Sequence, residues 1–119
     1  MTHLPIMHRP QFEAFVLSLP SATIVHQWRD DSVAKVGGKI FCLLDRDPGE
    51  IWLKVSDMSY DLMVDMDGIR PAPYFARAGW VAISHESALS EDDIRAYITE
   101  AHRLVSGKLG KRLRSELGL

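Results

Sequence analysis

A single cysteine, Cys42, is all that the 119 residues offer, so no internal disulfide can form. A reducing, cytoplasmic setting is the expectation that follows. Nothing approaches the roughly 20 consecutive apolar residues of a membrane span, and no membrane partner is expected. Residues 1–9 lack a basic start followed by an apolar run, so no signal peptide is read there. The five histidines and the lone cysteine show no zinc spacing. A phosphate-binding glycine loop, a dinucleotide fingerprint and a nucleophile elbow are all missing. These absences point away from an enzyme and leave no cofactor to expect. Net charge is only −2, which supplies no global attraction to nucleic acid.

What remains is an ordinary globular composition, 46% apolar and 25% charged, in a length that suits one domain spanning 1–119. Residues 1–9 are expected to be a flexible lead. Phe12, Phe15, Val16 and Leu19 recur at helical spacing and predict a first helix over residues 10–19, closed by Pro20. A meander follows, with strands over 24–28, 33–36, 39–45 and 51–55. Gly37-Gly38 supplies the positive φ angles of a two-residue hairpin turn. Residues 45–50 read as another turn. Strict alternation puts Ile40, Cys42, Leu44, Ile51, Leu53 and Val55 on a core face. Lys39, Phe41, Leu43, Trp52 and Lys54 fall on the other, mixed face.

A second helix is expected from Ser56 or Asp57 to about Met66, burying Met58, Leu62, Met63 and Met66. Pro71 and Pro73 keep the next connection irregular, and Trp80 to Ser84 reads as a last strand. Ser90 and Asp93 resemble a capping box opening a long amphipathic helix. Leu109, Leu113 and Leu117 extend the helical pattern beyond Gly107. The fold class expected is α+β: an antiparallel sheet, four meander strands plus one later strand, with about three helices on one face.

Three blocks, in order, resemble the MmcQ/YjbR family. They are Lys35-Val36-Gly37-Gly38-Lys39-Ile40-Phe41; Gly68-Ile69-Arg70-Pro71-Ala72-Pro73-Tyr74 continuing to Arg77-Ala78-Gly79-Trp80-Val81; and Ala101-His102-Arg103-Leu104-Val105 followed by Lys108-Leu109-Gly110-Lys111-Arg112-Leu113. The resemblance implies a frataxin-like (CyaY-like) fold, a "double wing" and the DNA binding ascribed to that family. The chain departs from the family pattern at Gly79, where many relatives carry histidine, and at Ala34, where relatives often carry an aromatic.

Charge is uneven along the chain. Over residues 45–67 seven acids face only Arg46 and Lys54, whereas from 108 onward Lys108, Lys111, Arg112 and Arg114 face only Glu116. Weak, non-specific phosphate-backbone contacts from Lys35 and Lys39 at the hairpin and from that C-terminal cluster are the leading expectation. Lys108, Lys111 and Arg112 are expected on one side of a single helix. A solvated hairpin tip and a solvated basic helix end explain the same residues without a ligand.

The alternative is a small-ligand or protein-interaction surface built from Phe41, Trp52, Tyr74, Arg77 and Trp80, residue types favoured at binding sites. Aromatics of that kind also plug the junction of helix and sheet. A third expectation concerns Asp57, Asp61 and Asp65, one acidic stripe at i, i+4 and i+8. It would suit a cationic partner or a metal, as in frataxin-like folds, or be a solvated face. Such a face would repel DNA, so a nucleic-acid surface is expected elsewhere.

Overall fold

The computed structural model describes residues 6–73 and 75–119, the side chain of Arg77 excepted. Helix α1 (Arg9–Leu17) leads into strands β1 (Ala22–Gln27), β2 (Asp31–Val36), β3 (Lys39–Leu44) and β4 (Ile51–Lys54). Helix α2 (Asp57–Met63) is followed by β5 (Ile69–Pro71), a 3₁₀ turn at Ala76–Ala78, and β6 (Trp80–Ile83). Helices α3 (Glu91–Ser106) and α4 (Lys111–Glu116) complete the order. The strands form one antiparallel sheet in the order β1-β2-β3-β4-β6-β5. The architecture is therefore α+β, with α1 and α3 packed on one face of the sheet.

The hairpin forms as its glycines require. Gly37 and Gly38 have φ of +58° and +80°, and Val36 pairs with Lys39. Leu44 opposite Ile51 and Cys42 opposite Leu53 also follow the alternation. One step does not. Ala34 faces Cys42, but Lys35 faces Ile40, so Phe41 is an extra residue in β3. A bulge of this kind sets two successive side chains toward the same face. Phe41 therefore enters the helix-side core beside Cys42, fully buried, with its ring edge-on to His102 at 5.3 Å. Ile40 moves to the opposite face and packs with Trp52, Phe75 and Trp80. The strict alternation expected is thus reversed at Ile40 and Phe41, and Lys39, expected on the mixed face, pairs with the core residue Val36 and changes side with them.

Three other expectations are corrected. Pro71 lies in a strand, because β5 is at the sheet edge, where a residue without an N–H is tolerated. Helix α2 ends at Met63 and buries only that methionine, leaving Met58 and Leu62 exposed. The expected loose lead is in part packed: Met7 is buried in the core, Ile6 rests against it and Arg9 opens α1. At the other end Ser90 Oγ accepts from the Asp93 N–H and Asp93 Oδ2 from the Ser90 N–H, both at 3.0 Å, so the capping box opens α3 as read. Among the described residues, no helix is long and apolar enough to cross a membrane.

Candidate functional site

The sheet face turned away from the helices carries Lys35, Ile40 and Leu43, then Trp52 and Lys54, then Trp80 and Ala82. Residues 72–73 and 75–79 run beside part of it, and Phe75 packs onto it. The Ala72 N–H bonds to the Trp80 carbonyl at 3.1 Å, and the Val55 N–H to that of Gly79 at 3.0 Å. Phe75 stacks obliquely on Trp80 at 5.1 Å and meets Trp52 edge-on at 6.4 Å. Trp80 is therefore buried. Trp52 and Lys54 are two residues apart on β4 and point to the same side of the strand, each lining a different concavity.

The first concavity, about 610 Å³, takes Lys39 from the hairpin, Lys54 from the end of β4 and Lys108 from beyond α3. Asp57, Tyr60 and Asp61 of α2 form the opposing wall, over a floor that includes Ile40 and Trp80. Two close approaches set this geometry. A Cβ at Gly37 would lie 2.6 Å from Leu109 Cδ1, so the hairpin tip sits directly on the buried leucine next to Lys108. A Cβ at Gly79 would lie 2.9 Å from Lys54 Nζ, which donates to the Ala78 carbonyl. Partial burial, and then the neighbouring Lys108, push the Lys54 ammonium below its ordinary pKa, with Asp57 opposing.

Of the six cations expected to act together, this cleft gathers Lys39 and Lys108 and adds Lys54, which strand alternation sets on the same side as Trp52 but which no sequence motif marks as part of a site. Lys35 is half-buried on β2 and does not line it. The single basic helix face does not form, because the chain breaks at Gly107 and Gly110, separating Lys108 from α4. Lys111, Arg112 and Arg114 are exposed on α4, and Arg112 Nε lies 3.2 Å from Glu116 Oε1. The acidic stripe is shortened in the same way, with Asp65 beyond the end of α2. Asp57 and Asp61 stand in the same cleft as the lysines, not on a separate repelling face. Among the described residues, no three His, Cys, Asp or Glu side chains are grouped as a metal ion would need.

The second concavity is an aromatic groove of about 320 Å³ lined by Trp28, Arg29, Asp31, Leu43, Trp52 and Phe75. It adjoins a more polar one of about 490 Å³, which shares Arg29, Asp31 and Trp52 and adds Asp45, Arg46 and Asp47. Trp52 is held from behind. Its Nε1–H donates to Glu50 Oε1 at 3.2 Å, and Arg70 grips the same carboxylate with bonds of 2.6 and 3.0 Å. Arg70 reaches it across β6, where small Ala82 stands between Trp52 and Arg70 in register. Burial alone would raise the Glu50 pKa, but Arg70 and the Trp52 indole together hold it below the ordinary value.

Of the aromatic surface expected from sequence, Trp52 lines this groove, whereas Phe41 is removed to the core by the bulge. Trp80 forms support beneath Phe75 and part of the cleft floor. Tyr74 and the side chain of Arg77 lie outside the described residues. Trp28 and Arg29 were missed because residue 28 reads as the end of a strand, whereas β1 stops at Gln27 and the two residues form the turn. Cys42 is sealed in the core, and burial pushes its thiol well above the ordinary pKa.

The same architecture occurs in solved structures. A Deinococcus radiodurans protein with a DUF419 domain is 22% identical, with a TM-score of 0.84 over 98% of this chain and 92% of its own. A Pseudomonas syringae protein is 21% identical, and its crystal structure gives a TM-score of 0.66 over 82% of this chain and 98% of its own. Its solution structure gives 0.63, over 82% and 92%. At such identities the likeness shows the fold alone. None of the curated proteins compared matches the sequence. The YjbR family model matches residues 17–104, from the end of α1 through most of α3, and with that the chain belongs to the YjbR family.

Proposed function

We propose that this domain is a non-enzymatic, cytoplasmic binding module that makes weak contacts with phosphate-bearing chains, DNA among them, through Lys39, Lys54 and Lys108. The observation that supports it is the convergence of three ammonium groups from three separate elements in one cleft. Phosphate contacts of this kind position a protein without reading sequence. Asp57 and Asp61 offset part of the charge, so the affinity is low and the partner is held loosely.

The test is fluorescence anisotropy with labelled duplex and single-stranded DNA across a salt series. Three phosphate contacts on duplex predict that affinity falls about 40-fold between about 50 and 200 mM salt. Each of Lys39→Gln, Lys54→Gln and Lys108→Gln reduces the magnitude of the log–log slope by about 0.9, whereas Arg112→Gln leaves it unchanged. Absence of binding at low salt, or a slope that ignores the three lysines, would overturn the reading.

A further inference from the structure

We propose that the groove between Trp28, Trp52 and Phe75 binds one unpaired purine base of the guanine type. This site is separate from the lysine cleft and does not rest on the reading given for it. Its volume, about 320 Å³, lies at the small end of ligand pockets and suits a ring system more than an extended ligand. Two indoles and a phenyl ring supply its walls, and flat heteroaromatic rings stack on such surfaces.

The walls are set before any ligand arrives. The Trp52 N–H is committed to Glu50, whose carboxylate Arg70 clamps, and Phe75 is braced on Trp80. Trp28 is the more telling residue. Its backbone is in the left-handed region, φ +57°, which bulky residues rarely adopt. Its side chain remains 59% exposed, so core packing does not repay that strain. Such a conformation persists only where its surroundings enforce it. Here Arg9 of α1 does so, binding both the carboxylate of Asp30 (Nη1 to Oδ2, 3.2 Å) and its carbonyl. An indole held out over a groove by an anchored, strained turn is a stacking surface.

The polar groups select the ring. Arg29 and Asp31 both line the groove, and no ion pair joins them among the described residues. Asp31 Oδ1 accepts from the Arg46 N–H at 3.0 Å, leaving Oδ2 to accept from a ligand. In the adjoining space the Asp45 carboxylate is turned into its own turn, taking the Gly49 and Glu50 N–H groups, while Arg46 and Asp47 balance in charge. A carboxylate is acceptor-only and a guanidinium donor-only. Together they fit a neutral ring with N–H donors beside a carbonyl and a ring-nitrogen acceptor. Guanine presents both, its O6 and N7 being favoured acceptors for arginine. A purely anionic or cationic aromatic would leave one of the two groups opposed.

The base could come from a free nucleoside or from a single strand, and the experiment separates them. The whole chain is titrated with guanosine, which carries no phosphate, and with a short guanine-containing single strand, following the tryptophan indole N–H resonances and calorimetric heats. Guanosine is expected to shift the Trp28 and Trp52 signals saturably, and Trp28→Ala, at an exposed position, to weaken binding about tenfold. Asp31→Asn is expected to weaken guanosine by a similar factor, with little effect on adenosine. Binding of the strand alone, lost in Trp28→Ala, assigns the site to polymer and still supports it. The Lys39→Gln/Lys108→Gln double variant should bind guanosine normally, so failure of the lysine cleft would not imitate failure here. Undisturbed indole signals with both probes, or equal binding by Trp28→Ala, would overturn the proposal.

Discussion

At Gly37 the backbone turns with φ +58° and passes close enough to Leu109 that any side chain would press into a buried leucine, whereas at Gly38, φ +80°, the space beyond the backbone is open. Alanine at Gly38 meets only the left-handed penalty, about 1–2 kcal/mol. Alanine at Gly37 meets that penalty and must also displace Leu109, in a core where overpacking costs about 1–3 kcal/mol more. Urea unfolding should therefore find Gly37→Ala clearly the more damaging of the two. In a double-mutant cycle, Leu109→Ala should remove much of the difference. Equal losses at both glycines would show that the hairpin tip does not bear on Leu109. The paired glycines were legible as a turn from sequence. Their unequal duties were not, because Leu109 lies 72 positions further along the chain.

Helix α2 shows what a periodic pattern leaves undetermined. Met58, Leu62 and Met66 recur at i+4 spacing, which is the pattern of a buried stripe, yet Met58 is 76% and Leu62 66% exposed, while Met63 is enclosed. Replacing Met58 and Leu62 by lysine should change stability by less than about 0.5 kcal/mol each. Met63→Ala should cost about 2–5 kcal/mol, and thermal melts of the three variants distinguish the faces directly. Elements whose information is local were readable, such as α3 with Ser90 and Asp93 at its start, and the register of β3 on β4. The Phe41 bulge was hidden because period-two alternation has no term for an extra residue, and β5 because Pro71 reads as a breaker until its edge position is known. Site geometry was readable only in part, since Lys39, Lys54 and Lys108 are brought together by tertiary contacts.

Across the whole molecule, the carboxylates set the response to acid. Glu50, facing Arg70, Trp52, Asp45 and His85, and Glu13, bonded to Ser32 and His26 and near Arg9, both titrate below the ordinary value of 4.5. Groups lowered in the folded state contribute stability above their unfolded pKa and lose it as pH falls through the folded one. Asp45, raised mainly by burial, works in the opposite sense and offsets part of that loss. Melting temperature should thus be nearly level from about pH 7 to 5 as far as these groups are concerned, then fall below about 4.5. Glu50→Gln should lower it at neutral pH and make the acid limb shallower, whereas an unchanged limb would dissociate the Arg70 clamp from stability. The seat of Gly37 on Leu109 also bears on the order of events in synthesis. The hairpin can close as soon as its own residues emerge, but its tip stays uncovered until residue 109 has been made. Lys39 then waits for Lys108, so the cleft cannot close until the 69 residues that lead from the first lysine to the second have been made, and through that interval the hairpin has no means of holding the partner proposed for it.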